Sequence, residues 1–121
     1  MANFKGAQSI TMPVAAATEL AQYRFVGVDN QGRLGYPAAN AETIGVTLSD
    51  SPASNDLAVP VAIRNGGAVK VECDGAVTAG NRVTFEATTG KITTTGATAA
   101  NHVGVALETG ADGEIIAVAL V

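Results

Sequence analysis

Short runs in which β-branched residues alternate with small or polar ones recur along the chain. A period of two places every second side chain on the same face, which is the pattern of a half-buried β-strand. The runs predict strands at residues 59–63, 68–73, 82–87, 103–107 and 114–121. Pairs such as Asp74-Gly75 and Asp112-Gly113 separate them and allow the positive φ that tight reversals need. The pattern therefore predicts an all-β fold.

The apolar pattern also repeats. Residues 32–34 (Gly-Arg-Leu) match residues 90–92 (Gly-Lys-Ile), and residues 44–48 (Ile-Gly-Val-Thr-Leu) match residues 103–107 (Val-Gly-Val-Ala-Leu). The glycines of the two pairs are 58 and 59 positions apart. Matches at nearly one separation indicate a duplicated unit. Since the shared residues are mostly glycine and aliphatic, the repeat describes a scaffold and not a set of reactive groups.

A third match, Arg24 with Arg82, also lies 58 positions apart. The three matches predict pseudo-repeats at about 18–63 and 76–121, both within a single domain of residues 13–121. Residues 1–12 precede the first copy and are expected to form an extended N-terminal arm.

The repeat also decides between helix and loop. Residues 14–23 have the propensity of a short helix, but part of this segment aligns with Thr78-Ala79-Gly80-Asn81, which favours a turn. We therefore predict a loop. The two Ala/Asn-rich links at 37–43 and 96–102 are predicted to contain one short helical turn each, the first with Pro37 at its first position.

Composition adds a sign that the surface is covered. Charged residues make up 15% of the 121 positions, against about 25% in average soluble domains. Hydrophobic residues make up 47%. So little charge on a small domain indicates that a partner covers part of the surface, and a Gly/Ala-rich β monomer is the alternative.

Several classes of function are disfavoured. The net charge of −4 and the absence of a Lys/Arg cluster argue against a nucleic-acid partner. No apolar run reaches the roughly 20 residues of a membrane-spanning helix, so no membrane association is expected. Cys73 is the single cysteine, which excludes an internal disulfide and fits a reducing compartment.

Reactive groups are few, and we predict no enzyme, no cofactor and no metal. His102 is the single histidine, its counterpart in the first copy is Thr43, and no nucleophile signature surrounds it. Gly90-Lys91 lacks the flanking residues of a phosphate-binding loop. Residues 77–83 look like the strand-turn-strand of biotinyl and lipoyl carrier domains, but neither Lys70 nor Lys91 has the hairpin-tip context of the modified lysine.

Other segments resemble a known family. Residues 77–85, the turn at 90–93, residues 103–107 and residues 113–118, together with the opening Met-Ala-Asn-Phe, are similar to the capsid cement or head decoration proteins of tailed bacteriophages. This resemblance implies a small β-barrel or β-tulip-like domain that binds the major capsid protein on the outside of an expanded head and stabilises it. It also implies a homotrimer first and a dimer second, made in the host cytoplasm.

The residues outside the repeat are the candidates for contact. We expect Phe4, Lys5, Ile10 and Met12 of the arm to touch the capsid protein or a neighbouring copy. Two alternatives remain. The chain is another virion component, such as a tail or fibre-base protein, or it is a carrier or small-ligand-binding β domain.

Overall fold

The computed structural model describes residues 8–15, 18–38, 42–52, 58–64 and 67–121. These residues form ten β-strands and no helix, which confirms the all-β prediction. The strands are β1 (Ser9–Pro13), β2 (Phe25–Val28), β3 (Leu34–Gly35), β4 (Gly45–Thr47), β5 (Ala58–Ile63), β6 (Ala68–Glu72), β7 (Arg82–Phe85), β8 (Ile92–Thr93), β9 (Gly104–Ala106) and β10 (Ile115–Leu120).

The strands form two antiparallel sheets with the same topology. The first sheet has the order β1-β5-β4-β2-β3, and the second has the order β6-β10-β9-β7-β8. Each sheet curls so that its first and last strands come together. In the first sheet Val14, directly after β1, bridges Leu34 of β3, and in the second sheet Cys73, directly after β6, bridges Ile92 of β8. Each half is thus a half-barrel. We call β1–β5 the first half and β6–β10 the second half; their equal strand order supports a duplication.

The predicted strands at 59–63, 68–73, 82–87, 103–107 and 114–121 correspond to β5, β6, β7, β9 and β10. Within residues 14–23, the described positions form a loop, as predicted, in which Leu20 bridges Ser51.

The predicted helical turns are not confirmed, because the described parts of both links hold no helix. Before β9 the chain makes one turn, in which the His102 N–H donates to the Thr98 carbonyl at 3.0 Å. The turn ends there because the next N–H, that of Val103, donates to the Val83 carbonyl of β7. Sheet pairing takes the donor that a longer helix would use.

The register corrects one of the three sequence matches. Phe25 of β2 lies opposite Val46, and Arg82 of β7 lies opposite Val105. Arg82 is therefore the counterpart of Phe25, and the match of Arg82 with Arg24 is wrong by one residue. The two halves differ here because the turn after β7 is one residue longer than the turn after β2, as the pairs Phe85–Ile92 and Val28–Leu34 show.

Residues 9–12, which the sequence assigned to an arm, lie in β1 at the edge of the first sheet. Ile10 lies opposite Val61 of β5, and Met12 lies opposite Val59. β1 has the place in its sheet that β6 has in the second sheet. The structural likeness between the halves therefore includes strands outside the predicted pseudo-repeats at 18–63 and 76–121, and the bounds of the sequence repeat itself stay a prediction. Phe4 and Lys5 lie outside the described residues.

Buried side chains form two clusters. The first core lies inside the first half and consists of Val14, Leu20, Val26, Leu34, Val59 and Val61. The second core lies inside the second half and contains, among others, Val71, Val83, Ile92 and Val118. Phe25, Val46 and Ala62 of the first sheet also belong to this second cluster. The outer face of the first sheet therefore packs against the second half.

Candidate functional site

Two of the four predicted contact residues are described, and both lie on β1. Ile10 and Met12 are two positions apart on a strand and therefore point to the same face. The Ile10 side chain is 42% exposed, whereas Met12 is half-buried and packs against the first core. The structure thus brings the two residues together, and of these two Ile10 offers the exposed apolar surface. We call this pair the β1 surface.

The residues of the second half that are equivalent to the β1 surface are buried. By strand register, Ile10 corresponds to Val69 and Met12 to Val71. Val69 is 8% exposed and Val71 is fully buried. The same position in the unit is therefore covered in the second half and partly open in the first.

Charged residues hold the two halves together. The Glu72 carboxylate, at the end of β6, lies 3.2 Å from the Arg24 guanidinium and 3.1 Å from the Lys91 ammonium. Arg24 also donates to the Thr89 carbonyl at 3.1 Å. Burial by itself would raise the pKa of Glu72, but the hydrogen bond from Lys91 and the charge of Arg24 outweigh it and hold the pKa below its ordinary value.

Main-chain hydrogen bonds join the same surfaces. The Phe25 N–H donates to the Gly90 carbonyl at 2.7 Å, and the Glu72 N–H donates to the Tyr23 carbonyl at 3.0 Å. A third bond runs from the Thr88 N–H to the Pro37 carbonyl at 2.8 Å. The edge of the second half is therefore fixed against the outer face of the first sheet.

The outer face of the second sheet has no such cover among the described residues. Its apolar side chains come from β9 and β10 and the position after β9: Val105, Leu107, Ile115, Ala117 and Ala119. Leu107 is 36% exposed and Ile115 is 44% exposed, and the other three are half-buried. We call these five residues the outer face. Sequence reasoning missed them because alternation shows which residues share a face but not which face is covered.

Cys73 occupies a core position, the counterpart of Val14, and burial together with the nearby Glu114 and Asp112 carboxylates raises the pKa of its thiol. His102 is half-buried, with its Nδ1 atom 3.1 Å from the Thr98 carbonyl oxygen. No group of three or more His, Cys, Asp or Glu side chains in the described part of the chain is placed to hold a metal ion. These groups form no constellation around a common point.

A cavity of about 250 Å³ opens beside β2 and β3, with Asp29, Arg33, Tyr36 and Glu42 among its lining residues. Pockets for small molecules usually measure about 300–1,000 Å³. The Asp29 carboxylate accepts hydrogen bonds from the Arg33 and Gln31 N–H groups, which lower its pKa. These bonds close the turn between the strands, so its carboxylate has a structural role.

The two lysines considered for a carrier role both form ion pairs. Lys91 pairs with Glu72, and the Lys70 ammonium lies 3.1 Å from the Glu108 carboxylate. The described residues include no helix long and apolar enough to cross a membrane.

The fold and its surfaces define a structural β-domain with exposed apolar faces. Over residues 4–120 the chain matches the family model of the phage cement proteins, and it belongs to that family. It is therefore a structural protein of the bacteriophage virion and, as the family implies, binds the capsid. No curated relative matches the chain at the level of sequence.

Among solved structures, the fold is similar to the crystal structure of the head fiber gp8.5 N base in bacteriophage phi29, with a TM-score of 0.71 and 17% sequence identity. The likeness covers 94% of this chain and 95% of the other. At this identity it shows a shared fold.

Proposed function

We propose that this chain is a capsid decoration protein that binds the major capsid protein on the outer surface of an expanded phage head and stabilises the shell. The observation that supports the proposal is the family match over residues 4–120. In this proposal the protein is made in the bacterial cytoplasm and associates with itself, as a trimer first and a dimer second.

The stabilisation follows from linkage. A ligand that binds the expanded lattice but not the unexpanded one stabilises the expanded lattice by RT ln(1 + [L]/Kd), which is about 2.7 kcal/mol per site at a hundredfold excess over Kd. A docking surface that spans two capsid subunits would select the expanded shell, because the subunits are not juxtaposed before expansion. Such a function needs no reactive side chain.

The test adds purified protein to expanded heads and to unexpanded shells that lack it, followed by pelleting and cryo-electron microscopy. We expect saturable binding to the outside of expanded heads, a higher dissociation temperature of the decorated heads, and little binding to unexpanded shells. Equal binding to both shells, or none to either, would contradict the proposal.

Phe4, Lys5, Ile10 and Met12 stay our candidates for contact with the capsid protein or a neighbouring copy. Deleting residues 1–12 is a poor test, because it removes most of β1 and uncovers β5. The double substitution Phe4→Ser, Lys5→Ala leaves β1 intact. We expect it to lower head occupancy about tenfold or more, as for a contact residue that contributes much of the binding energy, while Ala111→Ser, at an exposed turn, leaves occupancy unchanged.

A tail or fibre-base protein is the second candidate, and the similar fold of the head fiber base favours it over a carrier. Binding of the purified chain to isolated tails, or filaments formed without a shell, would support this candidate. Intact mass spectrometry tests the carrier alternative, since a modified lysine adds a mass offset.

A further inference from the structure

We propose that copies of this chain associate head to tail, with the outer face of one copy packed against the β1 surface and the β2–β3 turn of the next copy. The partner of the outer face is thus a second copy of the same chain. This proposal rests on the self-association in the proposed function and names the surfaces that form it. The association takes place in solution and does not depend on binding to a shell.

The first argument is the contact between the halves. Inside the chain, the outer face of the first sheet is already packed against a unit of the same topology. Its residues are Phe25, Val46 and Ala62, which lie in the second core, and Leu48, which packs against it. By register and position, their counterparts in the second sheet are Arg82, Val105, Ala119 and Leu107.

Three of these four positions remain apolar in the second sheet, and Ile115 adds a further exposed side chain in place of Ala58. The outer face is therefore apolar at most of the positions by which the first sheet packs against the second half. Arg24 of the first half reaches Glu72, the cross-strand neighbour of Ile115, but Leu107 and Ile115 stay exposed.

The second argument is the open partner surface. In the second half, Val69, Val71 and Val103 are buried in the same cluster as Phe25, Val46 and Ala62 of the first sheet. In the first half, the equivalent Ile10 is 42% exposed, and Met12 and Ile44 are half-buried. Each chain therefore exposes one surface of each kind, which is the condition for a head-to-tail contact.

The charged residues at this contact would differ from those of the internal contact. In the internal contact, Phe25 donates its N–H to Gly90, which lies in the turn after β7. Arg82 replaces Phe25 in the outer face, and the equivalent turn of the first half contains Asp29, the counterpart of Glu86. Asp29 is 39% exposed in its side chain. Asp29 already lies 3.7 Å from Arg33 of its own turn, so Arg82 of the next copy would lie beside an existing ion pair.

One difference makes the contact between chains weaker than the contact inside the chain. Glu72, which donates an N–H to Tyr23 and pairs with Arg24, corresponds to Pro13 in the first half. Proline has no N–H and no charge. The association is therefore expected to be reversible and concentration-dependent. A head-to-tail contact closes into a ring when its rotation allows and otherwise extends.

The experiment uses analytical ultracentrifugation of the full chain over a hundredfold range of concentration. We expect the weight-average mass to rise above that of a monomer. Leu107→Asp, on the outer face, and Ile10→Asp, on the β1 surface, are each expected to abolish the rise. Ala111→Asp adds the same charge at an exposed turn outside both surfaces and is expected to leave association unchanged.

Mixing the two variants gives the decisive result. Each variant keeps one intact surface, so an equimolar mixture of Leu107→Asp and Ile10→Asp is expected to form a heterodimer although neither variant self-associates. Circular dichroism confirms that both variants fold, and Leu107→Ser and Ile10→Ser replace any variant that does not.

Three outcomes would overturn the proposal: a monomer throughout the range, association of one single variant as strongly as the unsubstituted chain, or a mixture that stays monomeric. Head binding is measured separately on the same variants. Head decoration by monomeric variants would leave the proposed binding to expanded heads standing, and self-association without head binding would leave this proposal standing.

Discussion

Glycine at two equivalent positions allows the neighbouring strands to approach closely. A Cβ atom on Gly45 would lie 2.0 Å from the Ala62 carbonyl oxygen, and one on Gly104 would lie 2.5 Å from the Ala119 carbonyl oxygen. Neither glycine has a positive φ, so the requirement is space and not backbone conformation. This close approach of neighbouring strands explains why residues 44–48 and 103–107 share a glycine.

We expect Gly45→Ala to lower the free energy of unfolding by about 1–3 kcal/mol, because backbone atoms of β5 must shift to admit the methyl group. Gly35→Ala is the matched control, since no atom lies within 4 Å of a Cβ there. Urea unfolding measures both. Equal stability of the two variants would contradict the close approach.

Tyr23 and its counterpart Gly80 both have a left-handed backbone conformation, although only one of them is glycine. Tyr23 has a φ of 64°, in the left-handed region, where the second half has Gly80 with a φ of 90°. Both N–H groups donate to equivalent carbonyls, those of Thr47 and Ala106. A non-glycine residue costs about 1–2 kcal/mol in this conformation. The Tyr23 carbonyl accepts the hydrogen bond from Glu72, so the strain lies at the contact between halves.

At the scale of elements, the end of β6 connects the two sheets through Glu72. Its carboxylate separates two cations, Arg24 and Lys91, that would otherwise repel each other. All three side chains are less than one third exposed. Solvent therefore screens this cluster less than an ion pair on the open surface.

We expect Glu72→Gln to lower the free energy of unfolding by about 1–2 kcal/mol at neutral pH, since it leaves the two cations without their counter-charge. Glu108→Gln is the control. The Lys70–Glu108 pair is about half exposed, and its loss should change stability by less than about 0.5 kcal/mol. Urea unfolding of both variants checks this prediction, which fails if the two losses are equal.

The same cluster gives a dependence on pH. Because the pKa of Glu72 in the folded protein lies below its ordinary value of 4.5, its contribution to stability is fully present above 4.5 and is lost as the pH falls from there through the lower pKa of the folded state. The unfolding free energy should therefore fall more steeply on acidification in the unsubstituted protein than in Glu72→Gln. Glu86 acts in the opposite sense, because the hydrogen bond that its protonated carboxyl donates to Asp74 raises its pKa. Parallel curves for the two proteins would contradict the role of Glu72.

At the scale of the whole molecule, the second core joins the halves into one packed unit. Phe25, a residue of the first sheet, is fully buried and lies in the cluster of the second half. A half that unfolded alone would expose this ring. The two halves are therefore expected to unfold together.

We expect a single calorimetric transition whose van't Hoff and calorimetric enthalpies agree. Phe25→Ala should lower the free energy of unfolding by about 3–5 kcal/mol, because it leaves a large cavity between the halves. Phe85→Ala is the comparison. Phe85 packs against the same cluster but is only partly buried, so its loss should be smaller. Two separate transitions would show that the halves are independent.

The sequence predicted the strands well where the alternation is regular, as in β6 and β10, because pleating itself imposes that period. It misplaced residues 9–12, because the counterpart of β1 is β6 and the two share no Gly-based motif. It also matched Arg82 with Arg24 instead of Phe25, since identity of residue type says nothing about which residue lies opposite in the sheet. Ile10 was found as a contact candidate, whereas Leu107 and Ile115 were missed.

By itself the sequence determined that the chain is all-β, that its pattern repeats and that reactive side chains are few, because periodicity and composition are local properties. Only the tertiary structure decided which of two equivalent faces is covered. Phe25 and Arg82 hold the same place in their sheets, yet one is buried and the other exposed. The reason is that burial depends on how the two halves pack: the outer face of the first sheet packs against the second half, whereas Arg82, on the outer face of the second sheet, stays exposed.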